Sequence, residues 1–136
     1  MKKQYYIGLD VHKNTIAIAY TFSGSRSEAT SYGTCGGGNP SIEAKLRKLA
    51  KELGVKFQEL LVCYEAGPTG FVLARHLISL GVKCILCSPS HNSKDKVKTD
   101  RLDAKKIAKE FRNGDITEVR IPPATDEAVR DLQTDI

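Results

Sequence analysis

Two N-terminal runs, residues 4–10 (Gln-Tyr-Tyr-Ile-Gly-Leu-Asp) and 14–21 (Asn-Thr-Ile-Ala-Ile-Ala-Tyr-Thr), are rich in β-branched and aromatic side chains and predict strands. The short polar link Val11-His12-Lys13 joins them as a hairpin would, and a weaker run at residues 28–32 lies at hairpin distance from the second. The chain is therefore expected to open as a three-stranded antiparallel meander. Residues 34–38 (Thr-Cys-Gly-Gly-Gly) read as a flexible breaker, and Asn39-Pro40 suits an N-cap followed by a first helical residue. Beyond it Ile42, Leu46, Leu49 and Leu53 recur at spacings of four, three and four, and Gly54 supplies a stop, which predicts an amphipathic helix with one buried face.

The period then changes. Residues 60–64 (Leu-Leu-Val-Cys-Tyr) form a continuous apolar run of the kind buried on both faces, ending at Glu65 before the turn Ala66-Gly67-Pro68. Residues 71–80 predict a largely buried helix closed by Gly81, and residues 82–87 another buried strand. A strand, helix, strand order with short links implies parallel pairing through a right-handed crossover. A polar, basic stretch follows Ser88-Pro89-Ser90, then a helix from about residue 100 to 112 with Asn113-Gly114 at its end. Residues 116–121 are a short extended piece, and Pro122-Pro123 separates them from what reads as the start of another helix. The organisation β-β-β-α-β-α-β-α describes a mixed-sheet α/β domain over residues 1–121, with residues 122–136 beginning a helical connector to a further domain.

Composition narrows this picture only modestly. A chain of 136 residues, 40% hydrophobic and 27% charged, fits one ordinary globular domain. The formal charge of +5 is a mild bias toward polyanions, and its distribution says more. From Ser90 to Arg112, eight basic residues face four acidic ones, so +4 of the net +5 falls in that one stretch. There is no apolar run of 18 residues and no signal-peptide core, so the expected location is the cytoplasm, without a membrane. In such a compartment the four cysteines are expected to be thiols that serve packing. Cys84 and Cys87 match a zinc spacing formally, but three residues apart on a strand they point to opposite faces. Gly36-Gly37-Gly38 lacks the Gly-Lys-Ser/Thr of a phosphate loop.

The candidate chemistry lies in the acids. Asp10 closes the first strand and Glu65 the fourth; if those strands are adjacent and parallel, the two carboxylates meet at the sheet end where functional groups collect. Asp100 and Asp103, three apart at a helix start, are expected on one helix face near the positive end of its dipole, although capping alone would explain either. Together the four supply oxygen ligands suited to Mg²⁺ or Mn²⁺. Two such ions support in-line displacement at a phosphodiester, and the metal would relieve the repulsion among clustered carboxylates. Lys94, Lys96, Lys98, Arg101, Lys105 and Lys106 are expected to contact backbone phosphates, with a solvated basic face as the plainer reading, and Lys13 joins them as a candidate nucleic-acid contact. His12 reads chiefly as an exposed hairpin residue, with contact to a substrate phosphate or a metal-bound water as the functional alternative.

Three segments carry a resemblance: Gly8-Leu9-Asp10-Val11-His12-Lys13, Tyr64-Glu65-Ala66-Gly67-Pro68-Thr69-Gly70, and Lys98-Thr99-Asp100-Arg101-Leu102-Asp103-Ala104. In this order and spacing they are similar to the three motifs of the DEDD transposases of bacterial insertion sequences, which are related to the Piv DNA invertases. The resemblance covers essentially the whole chain. It implies a ribonuclease-H-like fold of the RuvC type, a mixed five-stranded sheet of order 3-2-1-4-5 flanked by helices. It also implies Mg²⁺ (or Mn²⁺) at Asp10, Glu65, Asp100 and Asp103, and cleavage and transfer of DNA strands at element ends or branched junctions. Some members use a guide RNA, and the full-length proteins are expected to be homo-oligomers. Members also carry a C-terminal domain with a serine thought to act as nucleophile, and these 136 residues stop before it. Two rival readings stand beside this one: a nucleic-acid-binding or dimerisation module without independent catalysis, and an actin-like sugar kinase, which needs a second phosphate loop and a second domain.

Overall fold

A computed structural model describes residues 3–67, 70–88 and 103–121. Six strands form one sheet of order β3-β2-β1-β4-β5-β6: β1 (Tyr5–Val11), β2 (Thr15–Phe22), β3 (Thr30–Gly36), β4 (Leu60–Glu65), β5 (Lys83–Cys87) and β6 (Glu118–Val119). The helices are α1 (Asn39–Leu53), α2 (Val72–Ser79) and α3 (Ala104–Asn113). The expected order 3-2-1-4-5 is present and is extended by β6, which pairs antiparallel with β5 through Leu86↔Val119 and Cys87↔Glu118. β1 pairs antiparallel with β2 and parallel with β4, and β4 is parallel to β5. The architecture is that of a ribonuclease-H-like mixed sheet flanked by helices.

Strand alternation sorts the two faces. Ile7 and Leu9 of β1, Ile16 and Ile18 of β2, Val62 and Tyr64 of β4, and Leu86 of β5 are buried against Ile42, Leu46 and Leu49 of α1 and Leu73, Ala74 and Leu77 of α2. Each of these side chains is apolar or aromatic, so this face supplies most of the hydrophobic stabilisation, at roughly 1.5–3 kcal/mol per fully buried large residue. The opposite face is built from smaller residues and is covered by α3: Ala19 and Ala29 cluster with Ala104 and Ala108, and Cys63 and Cys87 with Ile107. Tyr6, on the same face, meets the Phe111 ring edge-on at 5.0 Å.

Two local expectations are corrected. The segment read as a breaker at residues 34–38 is strand through Gly36, because Cys35 and Gly36 pair with Ile16 and Thr15 of β2, and the third strand starts at Thr30 rather than residue 28. The cap of α1 is Gly38, in extended geometry and without a side-chain bond, so Asn39 is already helical; Gly54 ends the helix at φ 75° as expected. Residues 122–136, expected to begin a helical connector, lie outside the described residues.

Candidate functional site

The parallel register of β1 and β4 builds the site. Leu9 pairs with Tyr64, so the next residue on each strand is a carboxylate: Asp10 on β1 and Glu65, which ends β4. Both belong to the face covered by α3, since Gly8 two residues before Asp10 lies under that helix and Cys63 two residues before Glu65 packs on Ile107. Glu65 in turn pairs with Cys87 of β5. Asp10, Glu65 and Cys87 thus follow one another across three adjacent strands, at the carboxyl ends where the chain leaves the sheet.

The third acid arrives with α3. A Cβ on Gly8 would overlap the Ala104 carbonyl oxygen and the Ala108 backbone, and its absence lets the first turn of α3 lie directly on β1. Asp103 stands just before that turn. It is the N-cap, with extended backbone (φ −97°, ψ 177°), and its Oδ1 accepts a hydrogen bond from the Lys106 backbone N–H at 2.8 Å. The helix therefore begins at Ala104, and Asp103 is its cap rather than a residue of its first turn. The expected pairing of Asp100 and Asp103 on one helix face is not what places Asp103, and Asp100 lies outside the described residues. The far end of α3 is fastened by Arg112, whose Nη1 donates to Thr21 Oγ1 at 3.0 Å and to the Ser27 carbonyl at 3.2 Å.

Asp10 has a neighbour that sequence reasoning left as an exposed loop residue. His12 places Nε2 3.1 Å from Asp10 Oδ2; the imidazole is 43% exposed and the carboxylate 18%. Lys13 is exposed in the same link and Lys105 on the outer surface of α3, both within reach of solvent polyanions, whereas Lys94, Lys96, Lys98 and Arg101 lie outside the described residues.

The donor chemistry of Asp10, Glu65 and Asp103, all hard carboxylate oxygens, suits Mg²⁺ or Mn²⁺. Among the described residues, however, no three His, Cys, Asp or Glu side chains stand close enough together to hold an ion. The topology gathers the three acids at one end of the sheet without closing them into a ligand set.

The cysteines are packing residues. Cys63, Cys84 and Cys87 are buried free thiols; burial pushes Cys84 up to about 12, and the hydrogen bond with Cys87, then burial, pushes Cys63 well above the ordinary thiol range. Cys84 and Cys87 face opposite sides of the sheet, Cys84 in the large core under α1 and α2 and Cys87 against Ile107 of α3. His76 is engaged away from the site, with Nε2 3.0 Å from Glu43 Oε1 of α1. None of the described helices is long and apolar enough to cross a membrane.

No profile of a known protein family matches the sequence. Over 96% of its length the chain is 42% identical to the "Transposase for insertion sequence element IS1533" of Leptospira borgpetersenii, of which it covers 38%. It is 38% identical, again over 96% of its length, to the "Putative transposase y4qE" of Sinorhizobium fredii, of which it covers 33%. The chain thus spans between a third and two fifths of the length of these curated relatives.

Proposed function

We propose that this chain is the part of an insertion-sequence transposase that cuts and rejoins DNA phosphodiesters, of the DEDD, RuvC-like type, with Mg²⁺ or Mn²⁺ held by Asp10, Glu65, Asp100 and Asp103. The observation that supports this most is the Leu9↔Tyr64 register, which sets Asp10 and Glu65 side by side on the face where α3 brings in Asp103. The similarity to named transposases over nearly the whole chain supports the same reading. Bound divalent ions would activate an attacking water or 3′-hydroxyl and neutralise the leaving oxygen of an in-line displacement.

In this reading the chain's own residues do the positioning. Asp10 and Glu65 are fixed by the sheet, so their separation is set by strand spacing rather than by loop conformation. Asp103 is held through its Oδ1 by the Lys106 amide, which orients the other oxygen of the same carboxylate. Lys13 and Lys105, with Lys94, Lys96, Lys98 and Arg101, would meet the phosphate backbone of element ends or branched junctions and fix its register.

The absence of a closed three-acid cluster among the described residues favours keeping one second reading, a nucleic-acid-binding module whose chemistry requires more of the full-length protein. Incubation with a branched DNA in Mn²⁺ separates the two. Mn²⁺-dependent nicking that disappears in Asp10→Ala is the expected result. Salt-sensitive DNA binding with no nicking, identical in wild type and Asp10→Ala, would replace the catalytic reading with the binding one.

A further inference from the structure

We propose that His12 is a positioning residue for Asp10, and that the glycine segment after β3 braces the link that carries it; this rests on the metal-binding reading above. An ionised carboxylate only accepts hydrogen bonds, so the 3.1 Å contact requires Nε2 to carry the hydrogen and donate it to Asp10 Oδ2. The bond spans only the end of β1 and the start of the link, and it fixes the orientation of a carboxylate whose side-chain torsions the strand itself leaves open. Carboxylates that bind metal are commonly held by such hydrogen bonds, and loss of the partner weakens the metal rather than the fold.

The backbone of the link is fixed by its neighbours. The His12 backbone N–H donates to the Thr15 carbonyl at 2.8 Å, closing the hairpin between β1 and β2. From the other side the Gly37 N–H donates to the Asn14 carbonyl at 3.0 Å. A Cβ on Gly37 would stand 2.9 Å from the Lys13 carbonyl oxygen and 3.2 Å from the Asn14 carbonyl carbon, both backbone atoms that cannot turn aside. The glycine is therefore needed for the end of β3 to press against the link. These backbone bonds close the β1–β2 hairpin and continue the β2–β3 pairing, so the link that carries His12 is held by the sheet on both sides. The arrangement makes sense as a means of setting the Asp10 carboxylate.

The test is calorimetric Mn²⁺ titration of the full 136-residue chain, with the electron paramagnetic resonance spectrum of the bound ion and thermal melts as companions. His12→Leu is expected to melt with the wild type, to bind Mn²⁺ about tenfold more weakly and to broaden the bound-ion spectrum. His12→Gln, which keeps an N–H donor at the end of the side chain, is expected to restore most of the affinity. Gly37→Ala is expected to weaken Mn²⁺ binding in the wild-type background and to add little in His12→Leu, because both act through one contact. Wild-type affinity and spectrum in His12→Leu would overturn the inference while leaving the metal site standing, as would equal losses in His12→Leu and His12→Gln. A wild-type chain that binds no Mn²⁺ would overturn the proposed function, and this inference with it.

Discussion

Gly8 of β1 lies directly beneath the Ala104 carbonyl of α3, with no room between them for a single methyl group. This contact brings the start of α3, and with it Asp103, to the sheet end where Asp10 and Glu65 stand. Because the obstructing atoms belong to helix backbone, Gly8→Ala can be accommodated only by moving α3 off β1. The expected loss is about 1–3 kcal/mol, the usual cost of overpacking, with reduction of the Mn²⁺ affinity alongside it. Urea unfolding measures the first and calorimetry the second; full stability in Gly8→Ala would show that α3 does not sit as described.

Asp103 has two separable duties. Asp103→Ala removes the bond to the Lys106 N–H and is expected to cost about 1 kcal/mol of stability, whereas Asp103→Asn keeps a cap acceptor and should melt within about 0.5 kcal/mol of wild type. If Asp103 also binds metal, both variants lose Mn²⁺ affinity despite their different stabilities. Asn with wild-type Mn²⁺ affinity would reduce Asp103 to a cap.

Tyr64 ties the strand that carries Glu65 to the helix behind it. Its buried hydroxyl accepts from the Ala74 N–H at 3.0 Å and donates to the Gly70 carbonyl at 3.0 Å. Tyr64→Phe leaves both backbone groups without this partner, and the expected cost is about 1–3 kcal/mol. Hydrogen exchange should quicken at Ala74 and its neighbours in α2, while β1 keeps its protection; unchanged exchange at Ala74 would contradict the bond.

Glu43 links α1 to α2. Its hydrogen bond from Arg47 Nε, and then its contact with His76, hold its carboxyl below the ordinary carboxylate range. A carboxylate whose folded pKa is lowered stabilises the fold at pH above its unfolded pKa, and that contribution fades as pH falls through the lowered folded value. The acid limb of the stability profile should therefore flatten in Glu43→Gln, with the two proteins converging at the lowest pH. Parallel acid limbs would show that this cluster does not couple to folding.

How much of this was legible in the sequence depended on whether the deciding interaction was local. The apolar spacing of Ile42, Leu46 and Leu49 marked the buried face of α1 directly, and the uninterrupted run before Glu65 marked β4 as an interior strand. Glu65 was legible as a strand-end acid for the same reason, and Asp10 as an acid near the end of β1, which runs one residue further to Val11. The extent of β3 was not, because the glycines from Gly36 onward disfavour a strand and hide the preference of Thr34, and Cys35 and Gly36 are extended by their pairing with β2. Residues 116–121 were readable as a short extended piece, but that Glu118 and Val119 join the sheet rests on their pairing with Cys87 and Leu86. Asp103 was readable as an acid at a helix start, but whether it was cap or first-turn residue rested on one side-chain bond. Gly8 and Gly37 carried a faint signal as glycines beside or within strands, and what each makes room for belongs to another element.

Whether Asp10 and Glu65 act as one metal site, as proposed, is decided by a double-mutant cycle in Mn²⁺ titration. Wild type, Asp10→Ala, Glu65→Ala and the double variant are titrated after circular dichroism shows each to be folded. Saturable binding is expected in the wild type, with a large loss in either single variant and no comparable further loss in the double, as for residues that share one ligand. A folded wild type that binds no Mn²⁺, or single losses that simply add, would contradict it.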